Sequence, residues 1–151
     1  MANTQAMCTS FMKELMLGNQ NLASGGNTFY AALYLVSATI DAATTVYTVT
    51  GEVSGSGYSA GGIVVPNTIS PLSTNSSPTA GVAYWTPSAS LVYSAVTLTT
   101  AFDSVLLYNL TNSNKAVSVH KFGSQTITAG TFTLTMPVNA TGSALLRLAT
   151  V

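Results

Sequence analysis

Threonine and large apolar residues alternate without a break from Thr131 to Met136. Phe132, Leu134 and Met136 fall on one side of the chain, and Thr131, Thr133 and Thr135 on the other. A period of two belongs to a β-strand with one face in a core and one in water, because successive side chains in a strand point to opposite faces. Threonine is β-branched, so it suits a half-buried pleated surface, and its hydroxyl still bonds to water. The pattern predicts a fold built of strands whose outer faces are hydrated by hydroxyl groups.

Other segments fit the same plan. Thr28–Val36 is apolar on both faces and reads as a central strand covered on both sides. Thr44–Val53 reads as a strand with Thr45, Tyr47 and Val49 on one face. Gly51–Gly62 reads as a flexible Gly/Ser loop, Ile63–Val65 as a short strand stopped by Pro66, and Asn67–Thr79 as a long exposed connection. Strands are expected over Gly81–Thr86 and Ser88–Thr99. Phe102–Leu110 and Lys115–Phe122 flank the polar turn Thr111–Asn114 as a hairpin. A second hairpin is expected around Ala129-Gly130, with arms Gln125–Thr128 and Thr131–Met136, and Ala144–Ala149 closes the chain. About eight short strands so spaced predict an all-β domain, a β-sandwich or jelly roll.

One segment has a helical period. Met7, Phe11, Met12, Leu15 and Met16 form a stripe on a helix from about Thr4 to Leu17, capped by Asn3 or Thr4 and ended by Gly18. Such a helix either packs under its own sheet or serves as an adaptable, Met-rich arm on a neighbouring subunit. The organisation expected is a helix and connecting arm over residues 1–27 and a sandwich over 28–151.

Charge decides which functions remain. Four Lys/Arg and four Asp/Glu make 5% of the chain, against roughly 25% in an average domain. Apolar residues reach 47%, too many for disorder. With no basic stripe to neutralise phosphates, nucleic acid is not an expected partner. Mean hydropathy is +0.41, yet the longest apolar run, Phe29–Val36, falls far short of the roughly 20 residues of a spanning helix. No membrane association is expected, and Met1–Gly18 lacks the basic start of a secretory signal. The lone Cys8 excludes an internal disulfide.

Catalytic and metal chemistry find little material. His120, Asp41 and Asp103 are available to a serine nucleophile, but no G-x-S-x-G elbow is present. One His, one Cys and four scattered carboxylates do not make a zinc site at any usual spacing, and no calcium loop is present. The glycines of Gly51–Gly62 imitate a phosphate cradle without its Lys or its helix. No enzyme activity and no cofactor are expected. Tyr84, Trp85 and Tyr93 read as core and edge packing, or as an aromatic platform for a sugar or a neighbouring subunit.

Several stretches carry a resemblance. They are Asn3–Phe11, Ala31–Leu35, the Gly51–Gly62 loop, Ser113–Val117 and Phe122–Gly130. Together they resemble a family of small virion structural proteins encoded among the structural genes of tailed bacteriophages. The resemblance implies a particle component made in the host cytoplasm. Within that class the expectation is a capsid decoration, or cement, protein on the capsid exterior, with the major capsid protein as partner and self-association as a dimer or trimer. A tail, collar or fibre component is the alternative, and a carbohydrate-binding attachment module the second. The residues expected at the protein interface are Met7, Phe11, Met12 and Leu15 on the helix, with Gly57 and Tyr58 in the glycine loop.

Overall fold

The computed structural model describes residues 2–74 and 81–150. Its strands are β1 (Ala6–Met7), β2 (Phe29–Leu35), β3 (Ile63–Val64), β4 (Leu72–Thr74), β5 (Val82–Trp85), β6 (Leu91–Asn109), β7 (Lys115–Leu134) and β8 (Leu146–Ala149), with one helix, α1 (Thr9–Met16). They form two antiparallel sheets, one of five strands in the order β1-β7-β6-β2-β3 and one of three in the order β4-β5-β8. The sheets share one apolar core as an all-β sandwich, with Trp85 and Leu146 of the small sheet meeting Phe29 and the other buried residues of the large one.

β2 is buried on both faces, as its unbroken apolar run predicts. It pairs with β6 from Phe29 opposite Asn109 to Leu35 opposite Phe102. The hairpin at Thr111–Asn114 is also present. Ser113 and Asn114 take left-handed backbone there, with φ of 52° and 59°, a conformation asparagine tolerates better than most residues.

Elsewhere the strands are longer than predicted. Leu91–Thr99 and Phe102–Asn109 belong to one continuous strand, β6, and the three segments expected from Lys115 onward run together as β7 as far as Leu134. Ala129-Gly130 is no hairpin turn, because Gly130 lies opposite Val96 within the ladder. The register shifts between Tyr93 and Val96, between Val96 and Leu98, and between Leu98 and Phe102, so the small residues mark bulges. Bulges bend a strand and sharpen its twist. Here they accompany a fold-over that brings Phe132 to ring contacts with Phe102 and Phe122, at centroid distances of 5.0 and 5.3 Å. The alternation of Thr131–Met136 holds, with Phe132 buried and all three threonines exposed.

Thr44–Val53 is not a strand. It makes single bridges from Val46 to Lys115 and from Glu52 to Tyr34. Its end lies along β2, where Leu35 N–H donates to Gly51 O and Val53 N–H to Leu33 O. The expected connection Asn67–Thr79 contains a strand, β4, and its last five residues lie outside those described.

The helix begins at Thr9, five residues beyond the start expected. Ala6 and Met7 pair with Val119 and Ser118 of β7 instead. Asn3 does not cap it. Its buried amide donates to Asp103 Oδ1 at 2.6 Å and to Leu35 O at 2.9 Å, and its oxygen accepts from Ile40 N–H. Extended Cys8 stands at the helix start, and Gly18, with φ +70°, ends the helix by donating to Leu15 O. Cys8 is fully buried, and burial pushes its thiol up to about 12. Helix α1 lies on β7, tied by a 2.7 Å ion pair between Glu14 and Lys115.

Candidate functional site

Cross-strand pairing sets the wall of an apolar groove. In the small sheet Ala83 lies opposite Leu148 and Trp85 opposite Leu146, so all four occupy one face. That face looks toward the helix side of the molecule, where Met7, Phe11, Leu15 and Leu22 complete a groove of about 110 Å3. Trp85 is 2% exposed and Leu148 41%, so the groove is closed at one end and open at the other. Three of the four helix residues expected at an interface thus meet in one place. Phe11, at 1% exposure, is the floor of this groove and part of the chain's own core. Met12 lies outside it and is exposed, as are Met16 and Leu17.

The two loop residues stand elsewhere. Gly57 and Tyr58 share a separate cavity of about 220 Å3 with Gly62, Ile63, Val92 and Tyr93, and none of these lines the groove. The loop is pinned to the sheet, contrary to the flexible loop expected. Thr97 N–H donates to Ser56 O at 2.8 Å, and a Cβ on Gly57 would lie 2.2 Å from Ala95 O. At Gly62 a Cβ would stand 1.7 Å from Ala31 O, so glycine is needed for the backbones to approach.

A buried carboxylate holds that loop from inside. Glu52 accepts hydrogen bonds from Tyr47 Oη at 2.6 Å, Tyr58 Oη at 2.7 Å and Gly61 N–H at 2.7 Å. Tyr58 Oη also accepts from Leu33 N–H, and Tyr108 Oη donates to Gly61 O. Tyr34 Oη donates to Thr48 O, and the Tyr47 and Tyr108 rings stack at 4.6 Å. Burial is the largest cause of raised hydroxyl pKa at Tyr34, Tyr47, Tyr58 and Tyr93, and it pushes Tyr108 up to about 12. The hydroxyl of Tyr58 is therefore turned inward and engaged.

No family model, curated protein or solved structure matches this chain.

The polar candidates for catalysis make no Ser–His–Asp relay of hydrogen bonds among the described residues. His120 Nε2 lies 2.8 Å from Ser118 Oγ, but Ser118 is buried, and burial pushes the imidazole down to about 4. Asp103 is engaged with Asn3, Ser104 and Lys121; burial works against its charge, yet these partners hold its carboxyl below the ordinary value. Asp41 accepts from Ala43 N–H at 2.8 Å. Among the described residues no three His, Cys, Asp or Glu side chains gather as a metal site, and no helix is long and apolar enough to cross a membrane. Trp85 donates its indole N–H to Ile69 O, and a sugar ring could stack on it only if its burial were undone.

Sequence reasoning found the helix side of the groove and, on the sheet side, only Trp85, as one of two readings of the aromatics; it missed Ala83, Leu146 and Leu148. Leu146 and Leu148 alternate with Arg147 and Ala149, a period-two signal that marks a face but not what it faces. Glu52 carried a sharper signal, being one of only four acidic residues and flanked by Tyr47 and Tyr58.

Proposed function

We propose that this chain is a structural protein of a tailed-bacteriophage virion, a capsid decoration protein that binds the major capsid protein lattice from outside and stabilises the head. The observation that carries the reading is the open apolar groove of Phe11, Leu15, Trp85, Leu146 and Leu148 on a chain with 5% charged residues. The resemblance of Asn3–Phe11 and the other stretches to small virion proteins supports it. Large apolar side chains at the surface add to it: Met16 is 84% exposed and Val138 75%.

The physics suits a lattice partner. An apolar side chain of the shell subunit seated in the groove is removed from water only where assembled subunits present it, so binding favours the intact shell by mass action. Each contact is weak alone, and repetition over a closed surface gains from multivalency. The test is cryo-EM of purified particles from the genome that encodes the chain. Density repeated over the shell between major capsid subunits, with the helix and small sheet inward, is the expected result. Density confined to the tail or collar, or none, overturns the reading.

A further inference from the structure

One buried carboxylate holds an amine and a carboxamide side by side. Glu14, on α1, is 6% exposed. Lys115 Nζ donates to its Oε1 at 2.7 Å, and Asn19 Nδ2 donates to its Oε2 at 2.8 Å. Both oxygens belong to one carboxyl group, so the Lys115 amine and the Asn19 carboxamide meet on it. Backbone bonds hold the donors in place. Asn19 N–H donates to Glu14 O at 2.9 Å, and Asn19 O accepts from Asn112 Nδ2 at 2.7 Å. Asn112 O accepts in turn from Lys115 N–H at 3.2 Å, so one residue of the hairpin turn binds the backbones of both Asn19 and Lys115. Groups held this way react as an intramolecular pair, because the entropy of bringing them together has already been lost on folding.

We propose that the Lys115 amine and the Asn19 side chain join as an amide, with Glu14 as proton carrier, tying the segment after α1 covalently to the start of β7. The step needs no group beyond these three side chains. Glu14 takes a proton from the Lys115 ammonium, and the neutral amine attacks Asn19 Cγ. A bond forms between Lys115 Nζ and Asn19 Cγ, and the bond from Cγ to Nδ2 breaks. Both protons shed by Nζ pass through Glu14 to the departing nitrogen, which leaves as ammonium, and the carboxylate is restored. The hydrogen bonds from Lys115 and Asn19 hold the Glu14 carboxyl below its ordinary range. Proton transfer to it therefore runs uphill and keeps the rate slow, while escape of ammonia makes the step one-way. Asn19 is exposed, so that escape is open. A covalent tie has a use here, since Cys8 is the one cysteine and no internal disulfide can brace the chain. A cross-link across a long loop stabilises chiefly by restricting the unfolded chain. The bond is the same whether the chain sits on a head, on a tail or on no particle.

The test is intact-mass spectrometry of the folded full chain, freshly purified and after prolonged incubation, followed by peptide sequencing. The expected result is a mass lower by one ammonia, growing with time to most of the chain, and a branched peptide joining Asn19 to Lys115. Lys115→Arg keeps a positive charge beside Glu14 but carries no primary amine, and should keep its full mass. Glu14→Gln should slow the loss roughly tenfold or more, because an amide does not carry the proton. The thermal midpoint of the parent should rise as ammonia is lost, and that of Lys115→Arg should stay constant. A full mass at every time overturns the proposal. So does an equal loss of ammonia in Lys115→Arg, the mark of Asn19 closing on the Gln20 backbone nitrogen as a succinimide. The branched peptide is read from the parent chain, so a variant that fails to fold does not spoil the test. The location of the chain on a particle is unaffected by any of these outcomes.

Discussion

Glu52 is the residue on which most of the loop side of this molecule converges. Its carboxylate is 7% exposed and accepts from two phenols and one backbone amide. Glu52→Ala removes the shared acceptor, and the buried Gly61 N–H, which can only donate, loses its partner. One buried polar group is then unsatisfied, at about 1–3 kcal/mol. Urea unfolding should show that loss with an unchanged denaturant slope, and an unchanged midpoint would mean the network is not holding the loop. The tyrosines give a second expectation. Their pKa values are raised in the fold, Tyr108 to about 12 and Tyr34, Tyr47, Tyr58 and Tyr93 further. The folded state then keeps protons that the unfolded state, with tyrosines near the ordinary value of about 10, gives up. The stability these groups contribute is complete below pH of about 10 and is lost as pH rises through 12 and beyond. The tyrosinate absorbance of these five phenols should therefore appear together with unfolding; ionisation of more than two of the seven tyrosines near pH 10 in a still-folded chain would contradict the buried network.

Helix α1 shows how an element's role differs from its pattern. Phe11 is buried against β7, whereas Met16, on the same apolar stripe, is almost fully exposed. Phe11→Ala should cost about 3–5 kcal/mol, as loss of a core aromatic does. Met16→Ala should lie within about 0.5 kcal/mol of the parent. Thermal melts of the two variants separate a helix that belongs to the core from a detachable arm, for which both changes would be mild. The stripe was legible in the sequence because 3.6-residue periodicity is local. Its start was not, because the backbone of Ala6–Met7 pairs with Ser118–Val119, more than a hundred residues away. The same limit governs the strands. Phe29–Leu35 and the turn at Thr111–Asn114 announce themselves through neighbours in the chain. Ala129-Gly130 looks like a turn locally, and only the facing β6 makes it a bulge. In Thr44–Val53 the pattern of a strand was present, but Tyr47 and Glu52 turn to each other and the ladder is lost to a side-chain bond. Half of the groove was readable for the same reason: its helix residues share a local period, and its sheet wall exists only once β5 and β8 pair.

At the scale of the whole molecule, the scarcity of charge has a consequence for how the chain holds a partner. Of its eight charged residues, Glu14, Lys115, Asp103 and Lys121 pair within the chain, and Glu52 is spent on the tyrosine network. Few charges remain for steering or for surface ion pairs, so salt has little to screen. On the proposed decoration reading, attachment through the groove would depend instead on apolar area removed from water, which is worth about 25 cal/mol per Å2 and is strengthened by excluded salts such as sulfate. Occupancy on purified particles should therefore hold from about 0.1 M to about 1 M salt. Leu148→Asp should strip the chain from the particle at every ionic strength while leaving it folded. Leu148 suits this test because it is half-exposed at the open end of the groove and sits on an edge strand, where a charge is tolerated. Co-sedimentation with particles reads both effects. Release by salt alone would mean that charges hold the chain in place, and would move the contact from the groove to Lys13 and Arg147, the two basic side chains with no ion pair among the described residues.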